Sequence, residues 1–409
     1  MAKAAKILIA LIIFVAVGVL HIAFNVTGIL GRGGDLRWVN TGRGVPYTAD
    51  ASPVFHAHGA FFYVATRDGV RLVSGATGES RFHETLNLRR PIHRGRGPYF
   101  AVSEGEQGRI VYLYDLSGRV FAEVFDHPIH NFSINAQGFL TVISQIPDGY
   151  SIYIFHRHVN DGNRYRRYIR ENVHPNIIPI AAEVSDSGRY ITVALLDFNN
   201  RLETQVQFAQ TYERDADWGT YGIFFSYIFR DELLLHMQKT SETRTVVITD
   251  GQIAVFDRGG RSGQTPTIEK VTTIPLHNRI SELAFDNEGR FAVAFGSPLL
   301  NHPEAAADGT VHIFDARGVR TGVYETGRRV THLAKGHGMT IIGTDRNFHA
   351  VNREGVRGWE FVALHATQDF LFMENSDTVL IAGSNRADVW RRQRVRDGEG
   401  DFFGIQGQE

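Results

Sequence analysis

Ile313-Phe314-Asp315-Ala316-Arg317-Gly318 sets two apolar residues before an acid and, three positions on, a glycine. The arrangement returns as Leu113-Tyr114-Asp115-Leu116-Ser117-Gly118, as Val255-Phe256-Asp257-Arg258-Gly259-Gly260 and, with asparagine for the acid, as Ala350-Val351-Asn352-Arg353-Glu354-Gly355. Asn135-Ala136-Gln137-Gly138, Ser185-Asp186-Ser187-Gly188 and Asp286-Asn287-Glu288-Gly289 stand just before strand-like runs, and Thr66-Arg67-Asp68-Gly69 makes an eighth break. Asp or Asn starts such a turn by bonding its own backbone, and Gly takes the positive φ that closes it. Units of ~40–50 residues, each with about four short strands between such turns, read as a β-propeller. The expectation is an all-β chain of four-stranded antiparallel sheets.

Eight strand clusters begin near Pro53, Ile92, Ile129, Pro179, Gly222, Arg279, Arg329 and His365, which predicts eight blades, with seven as the alternative count. Most carry a near-continuous apolar run, such as Ala60-Phe61-Phe62-Tyr63-Val64-Ala65 or Phe291-Ala292-Val293-Ala294-Phe295. Such runs suit strands buried on both faces, as inner strands are between neighbouring blades. The last cluster stops at Ala387-Asp388-Val389-Trp390 without a fourth strand, whereas Leu36-Arg37-Trp38-Val39-Asn40 is a strand without a cluster. Pairing the two closes the ring and removes an exposed sheet edge. Gly259 to Thr267 and Ser297 to Asp308 read as insertions on the propeller faces.

Ahead of the repeats, Ile7 to Phe24 is apolar apart from Gly18 and His21. As a helix it spans about 27 Å, close to the ~30 Å hydrocarbon core of a bilayer. Lys3 and Lys6 precede it and no acid comes before Asp35, so the positive-inside rule puts the N-terminus in the cytoplasm and the repeats outside. The rival is a signal peptide cut after Ala16-Val17-Gly18, but that would leave a greasy new terminus from Val19. The expected organisation is a cytoplasmic end (1–6), a transmembrane helix (7–24), a short linker (25–35), the propeller (36–394) and a polar tail (395–409). The expected location is a single-pass inner-membrane protein with its propeller on the periplasmic, extracytoplasmic side.

The 409 residues carry a net charge of −1, so no global field steers the chain to nucleic acid. Cysteine is absent, which excludes disulfides, a thiol nucleophile and thiolate metal sites. Only five of the 43 basic residues are lysine: Lys3, Lys6, Lys239, Lys270 and Lys335.

With its repeats and Asp-x-x-Gly turns, the chain from about Leu36 to Arg394 resembles the WD40-like and quinoprotein-like propellers. In plan it is similar to membrane-anchored bacterial propeller proteins of uncharacterised function. The Gly-His and Trp-Asp dipeptides of true WD40 repeats are missing from the blades. Tryptophan, at 38, 218, 359 and 390, is too sparse for the docking pattern of quinone-binding dehydrogenases. The resemblance therefore implies a fold and carries no active-site residues across.

Several constellations deserve weighing as chemistry. His56 with His58 and His156 with His158 each place two imidazoles on one strand face, a candidate metal pair that needs further ligands. His83, His93, His127 and His130 lie in neighbouring units; the plainer reading is strand-edge histidines in a chain with 18 of them. Arg89 to Arg96 is arginine-rich, and Arg164, Tyr165, Arg166 and Arg167 interleave cations with aromatics in the manner of a polyanion-binding surface. The plainer reading is an outer strand with a solvated charged face, since Arg and Tyr alternate there as on any exposed edge strand. Glu104, Glu106, Asp197, Asp215, Asp217, Asp231 and Glu232 are carboxylates that a channel could bring together, though nothing in their spacing selects a pair. No P-loop, G-x-S-x-G elbow or H-E-x-x-H motif occurs. The leading expectation is a non-enzymatic scaffold that binds a protein partner in the bacterial cell envelope, with no cofactor. The alternative is an enzyme or small-ligand sensor that uses the central channel.

Overall fold

The computed structural model describes residues 36–48, 52–105, 107–147, 149–157, 165–172, 176–199, 202–211, 222–260, 266–298, 306–363 and 366–394. Among them are eight four-stranded antiparallel sheets, so the count is eight blades. The expected transmembrane segment lies outside the described residues; among those described, no helix is long and apolar enough to cross a membrane.

Blades 1 to 8 begin with the innermost strands Val54–His58, Pro91–Arg96, Ile129–Ile134, Ile177–Val184, Leu234–Lys239, Asn278–Phe285, His332–Gly336 and Asp369–Phe372. Inner strands of successive blades lie side by side, and blade 8 returns to blade 1. Between blades 5 and 6 the His236 ring stacks on Phe285 with centroids 5.2 Å apart. The second strands are the apolar runs of the sequence: Phe291, Ala292, Val293 and Ala294 are all fully buried. The outermost strands alternate instead, as Thr267–Pro275 does between exposed and half-buried positions. Aromatic pairs join neighbouring blades, including Tyr63 on Phe100 at 4.9 Å, Phe208 with Phe256 at 5.4 Å and Phe348 on Phe370 at 4.4 Å.

By packing, the chain divides into a body, Thr41–Val389, and a second unit, Met1–Asn40 with Trp390–Glu409. Residues 36–40 and 390–394 of the second unit are extended strand. Blade 8 takes its outermost strand, Leu36–Pro46, from the start of the chain, paired to Arg386–Arg394 as the sequence suggested. Within the body the Thr41 hydroxyl donates to the Val389 carbonyl at 2.8 Å, and Tyr47 donates from its hydroxyl to Gly383 O at 2.5 Å.

The turns behave largely as read. Asp315 Oδ1 accepts from the Arg317 and Val319 amides at 2.8 and 2.9 Å, and Gly318, at φ 78°, donates back to the Asp315 carbonyl. Asn135, Asp286 and Asn352 make the same pair of bonds to the second and fourth residues on. Two readings need correction. Asp257 starts no turn: strand Gln252–Gly259 runs through it, and its carboxylate pairs with Arg244 at 2.5 Å. Nor does Gly222 open blade 5. Ile223–Arg230 pairs with Glu203–Gln210 as the outer strand of blade 4, because the 12-residue stretch between those strands makes one blade look like two.

Candidate functional site

Antiparallel order puts the loops between first and second strands, and between third and fourth, on one face of the body. The turns at Asn135, Ser185, Asp286, Asp115, Asp315 and Asn352 all belong there. The opposite face carries the loops between second and third strands and the links from one blade to the next. On that face, around blades 4 and 5, Phe198, Leu202 and Leu233 are 49, 40 and 37% exposed. Leu202 and Leu233 each adjoin one bond that ties the two segments: the Thr204 hydroxyl donates to Glu232 O at 2.7 Å. Apolar side chains gathered on one face point to an interaction site more than singly scattered ones do.

The second feature is the channel. A cavity of about 830 Å³ follows the inner strands of blades 2 to 6. These strands carry few charges, and each is placed by strand geometry. Pro91–Arg96 is half exposed, with Arg94 and Arg96 two residues apart on one side. Gly95 between them is required by close approach, since a Cβ there would stand 2.2 Å from the His56 ring. Arg96 forms an ion pair with Glu183 at 3.8 Å and donates to Lys239 O at 2.6 Å. The Lys239 amide donates to Glu183 at 3.3 Å. Burial raises the Glu183 carboxyl, against the pull of Arg96 and Lys239, and burial draws the Lys239 ammonium down to about 8. Asp286, on the same wall, is held by Arg290 at 2.7 Å. Arg94 donates to Asn131 Oδ1 at 3.2 Å and to its neighbour's carbonyl, His93 O, at 2.9 Å, and lies 5.9 Å from the Phe132 ring centroid. Glu282 is half-buried on blade 6, and burial raises its carboxyl.

The residues singled out from sequence are dispersed. His56 Nε2–H donates to Gly97 O at 2.9 Å and stacks beside Tyr63 and Phe100; burial draws it down to about 4. His58 follows on the same strand, half-buried and also drawn down. The backbone of His156 pairs with Arg166, Arg157 with Tyr165 and Phe155 with Arg167, so Tyr165 to Arg167 lie on the outer strand of blade 3. Their side chains, and His158 and Arg164 entirely, lie outside the described residues. Among the described residues no three His, Asp or Glu side chains gather as metal ligands would. Glu104 pairs with Arg89 at 3.8 Å, Asp197 caps the Asn199 amide at 2.8 Å, and Glu232 accepts from Thr249 and Gln252. None of these three lines the cavity. Asp231 sits in the link between blades 4 and 5 at φ 56°. Glu106, Asp215 and Asp217 lie outside the described residues. The channel charges were missed, although Arg94 and Arg96 close the arginine-rich stretch and Glu183 is the lone charge in Ile177–Val184.

Residues 56–391 match a family described as "Family of unknown function (DUF5711)", and the chain belongs to that family. No curated protein matches it. Among solved structures it is similar to BamB from Moraxella catarrhalis, at 12% identity and TM-score 0.50 over 87% of this chain and 100% of that one. It is also similar to Sqt1 of Saccharomyces cerevisiae, at 11% identity and TM-score 0.55 over 86% and 98%. At such identities the likeness is one of fold, a β-propeller.

Proposed function

We propose that the protein is a membrane-tethered, extracytoplasmic binding module of the bacterial cell envelope that captures a protein partner on the face opposite its Asx turns. The observation that carries this reading is the exposed apolar group Phe198, Leu202 and Leu233. Apolar side chains at the centre of an interface supply most of its binding energy, inside a polar rim. Tethering rests on the sequence, through the apolar run Ile7–Phe24 behind Lys3 and Lys6. A rigid ring held near a bilayer by a linker of about ten residues presents its faces at fixed reach. The arginine-rich outer strand, with Arg164, Tyr165, Arg166 and Arg167, is a second candidate contact.

Crosslinking in membranes followed by affinity capture tests the reading. Leu202→Asp with Leu233→Asp is expected to abolish capture of the partner with the melting temperature unchanged, whereas Arg164→Ser, Arg166→Ser and Arg167→Ser weaken it most at low salt. Undiminished capture by the double aspartate variant would remove the apolar face from the interaction. Protease added to spheroplasts is expected to digest the propeller; full protection would overturn the topology.

A further inference from the structure

The charges that line the channel cavity do not balance among themselves locally. Five charged residues line it: Arg94, Arg96, Glu183, Glu282 and Asp286. Arg96 and Glu183 pair with each other, and Asp286 is held by Arg290. That leaves one cation and one anion. Among the described residues the Arg94 guanidinium bonds neutral acceptors, Asn131 Oδ1 and His93 O, and has Glu183, already paired with Arg96, as its nearest compensating charge without an ion pair or a hydrogen bond to it. Glu282 has Arg329 as its nearest compensating charge, without an ion pair or a hydrogen bond to it. The two stand on blades 2 and 6, half a turn apart in a ring of eight, and both line the cavity without pairing with each other.

A charge in a walled cavity loses hydration, and its cost falls only when an opposite charge meets it at close range. Arg94 is exposed to the lumen, yet desolvation lowers its pKa, and Glu282 is pushed the opposite way for the same reason. A ligand with one charge would neutralise one wall and leave the other. The volume, about 830 Å³, falls in the range of roughly 300–1,000 Å³ that small-molecule sites occupy. Phe132, Ile180 and Leu283 add apolar surface to the same cavity, which suits a methylene chain.

We propose that the central channel binds a small zwitterion, with a carboxylate on Arg94, an ammonium on Glu282, and an aliphatic spacer between them. Arginine meets a carboxylate with two parallel N–H donors, which fixes orientation as well as charge. The channel site is independent of the apolar face, so failure of either leaves the other standing.

The test uses the full chain in detergent and a length series of ω-amino acids: glycine, 4-aminobutanoate, 6-aminohexanoate and 8-aminooctanoate. Calorimetry compares each with the carboxylate and the amine of equal length. One length is expected to bind at least tenfold more tightly than either singly charged analogue. Arg94→Gln and Glu282→Gln are each expected to remove that tenfold advantage, while Arg353→Gln, on the surface, leaves it intact. Equal binding of the zwitterion and its singly charged analogues, or no binding of any at 10 mM (about 100-fold above a typical small-metabolite affinity), overturns the proposal. The length series on the unaltered protein decides the matter even where a variant fails to fold.

Discussion

At the scale of single residues, identical turn chemistry does different work according to burial. Asn135 and Asp315 both cap two backbone amides, but Asn135 is 3% exposed and its amide also donates to Ser185 O at 2.8 Å, joining blade 3 to blade 4. Asp315 makes its bonds in the open. Asp315→Ala is therefore expected to cost about 1 kcal/mol, and Asn135→Ala about 2–3 kcal/mol because buried donors and acceptors are left unpaired; urea unfolding of the two variants checks the order. His56 gives a pH dependence. Its imidazole stays neutral in the fold down to about 4 and takes a proton at 6.5 once unfolded. Between those values protons bind the unfolded chain in preference, so stability is complete above 6.5 and falls on acidification. Asp369 acts in the other direction, since burial pushes its carboxyl up to about 6 from 3.8 and the fold then binds the extra proton. The informative quantity is the difference from His56→Phe, which keeps the stacked ring and loses the titration. Going from pH 7 to 5, the unaltered protein is expected to lose about 2 kcal/mol more than the variant; parallel curves would show that His56 does not titrate between the two states.

At the scale of strands and loops, what could be read from sequence depended on how many constraints a segment satisfies. The second strands were legible because a strand buried on both faces has to be apolar throughout, as Phe291 to Phe295 is. The Asx turns were legible because their geometry restricts both ends, an acceptor first and a positive φ last; Gly138, Gly289, Gly318 and Gly355 lie between 78 and 84°. Asn375 escaped notice because its turn, which caps Asp377 N at 2.9 Å, ends without glycine. Ile223–Arg230 was misplaced because strand pattern does not say which neighbour a strand pairs with. The candidate site was the least legible part. Arg94 and Glu282 sit in inner strands that line a cavity, so their mix of exposed and half-buried positions resembles that of an outer strand. Only the ring distinguishes a charge that faces a lumen from one that faces bulk water. The same holds for the apolar face: Phe198 and Leu202 sit at the two ends of one loop, and Leu233 some thirty residues further on, and the hydrogen bond from Thr204 to Glu232 is what brings the two segments together.

At the scale of the whole molecule, the ring is held by contacts between residues far apart in sequence. The Thr41 hydroxyl and the Val389 carbonyl are 348 positions apart. Bringing such distant segments together carries a loop-closure entropy that grows only slowly with length, so one strand of hydrogen bonds and its packing suffices to offset it. Val45 of the first strand is buried with Ala387 and Val389 in the same apolar cluster, together with Phe55 and Val73 of blade 1. Closure thereby also finishes the interface between blades 8 and 1. The fit leaves no room at Gly44, where a Cβ would stand 2.3 Å from the Ala387 carbonyl oxygen. Gly44→Val is expected to push Leu36–Pro46 off its partner and expose the edge of Arg386–Arg394, a template for pairing with other chains. The melting temperature should fall by roughly 3 °C, as a loss of about 2 kcal/mol does at ~2.1 cal/mol/K per residue over a domain of this size, and light scattering should show self-association. Gly42→Ala, on the same strand with open space around the added carbon but at φ 71°, should cost about 1 kcal/mol from backbone strain without any self-association. If Gly44→Val melts and scatters like Gly42→Ala, the seam does not hold the ring closed, and the packing of blade 1 against blade 8 must do so without it.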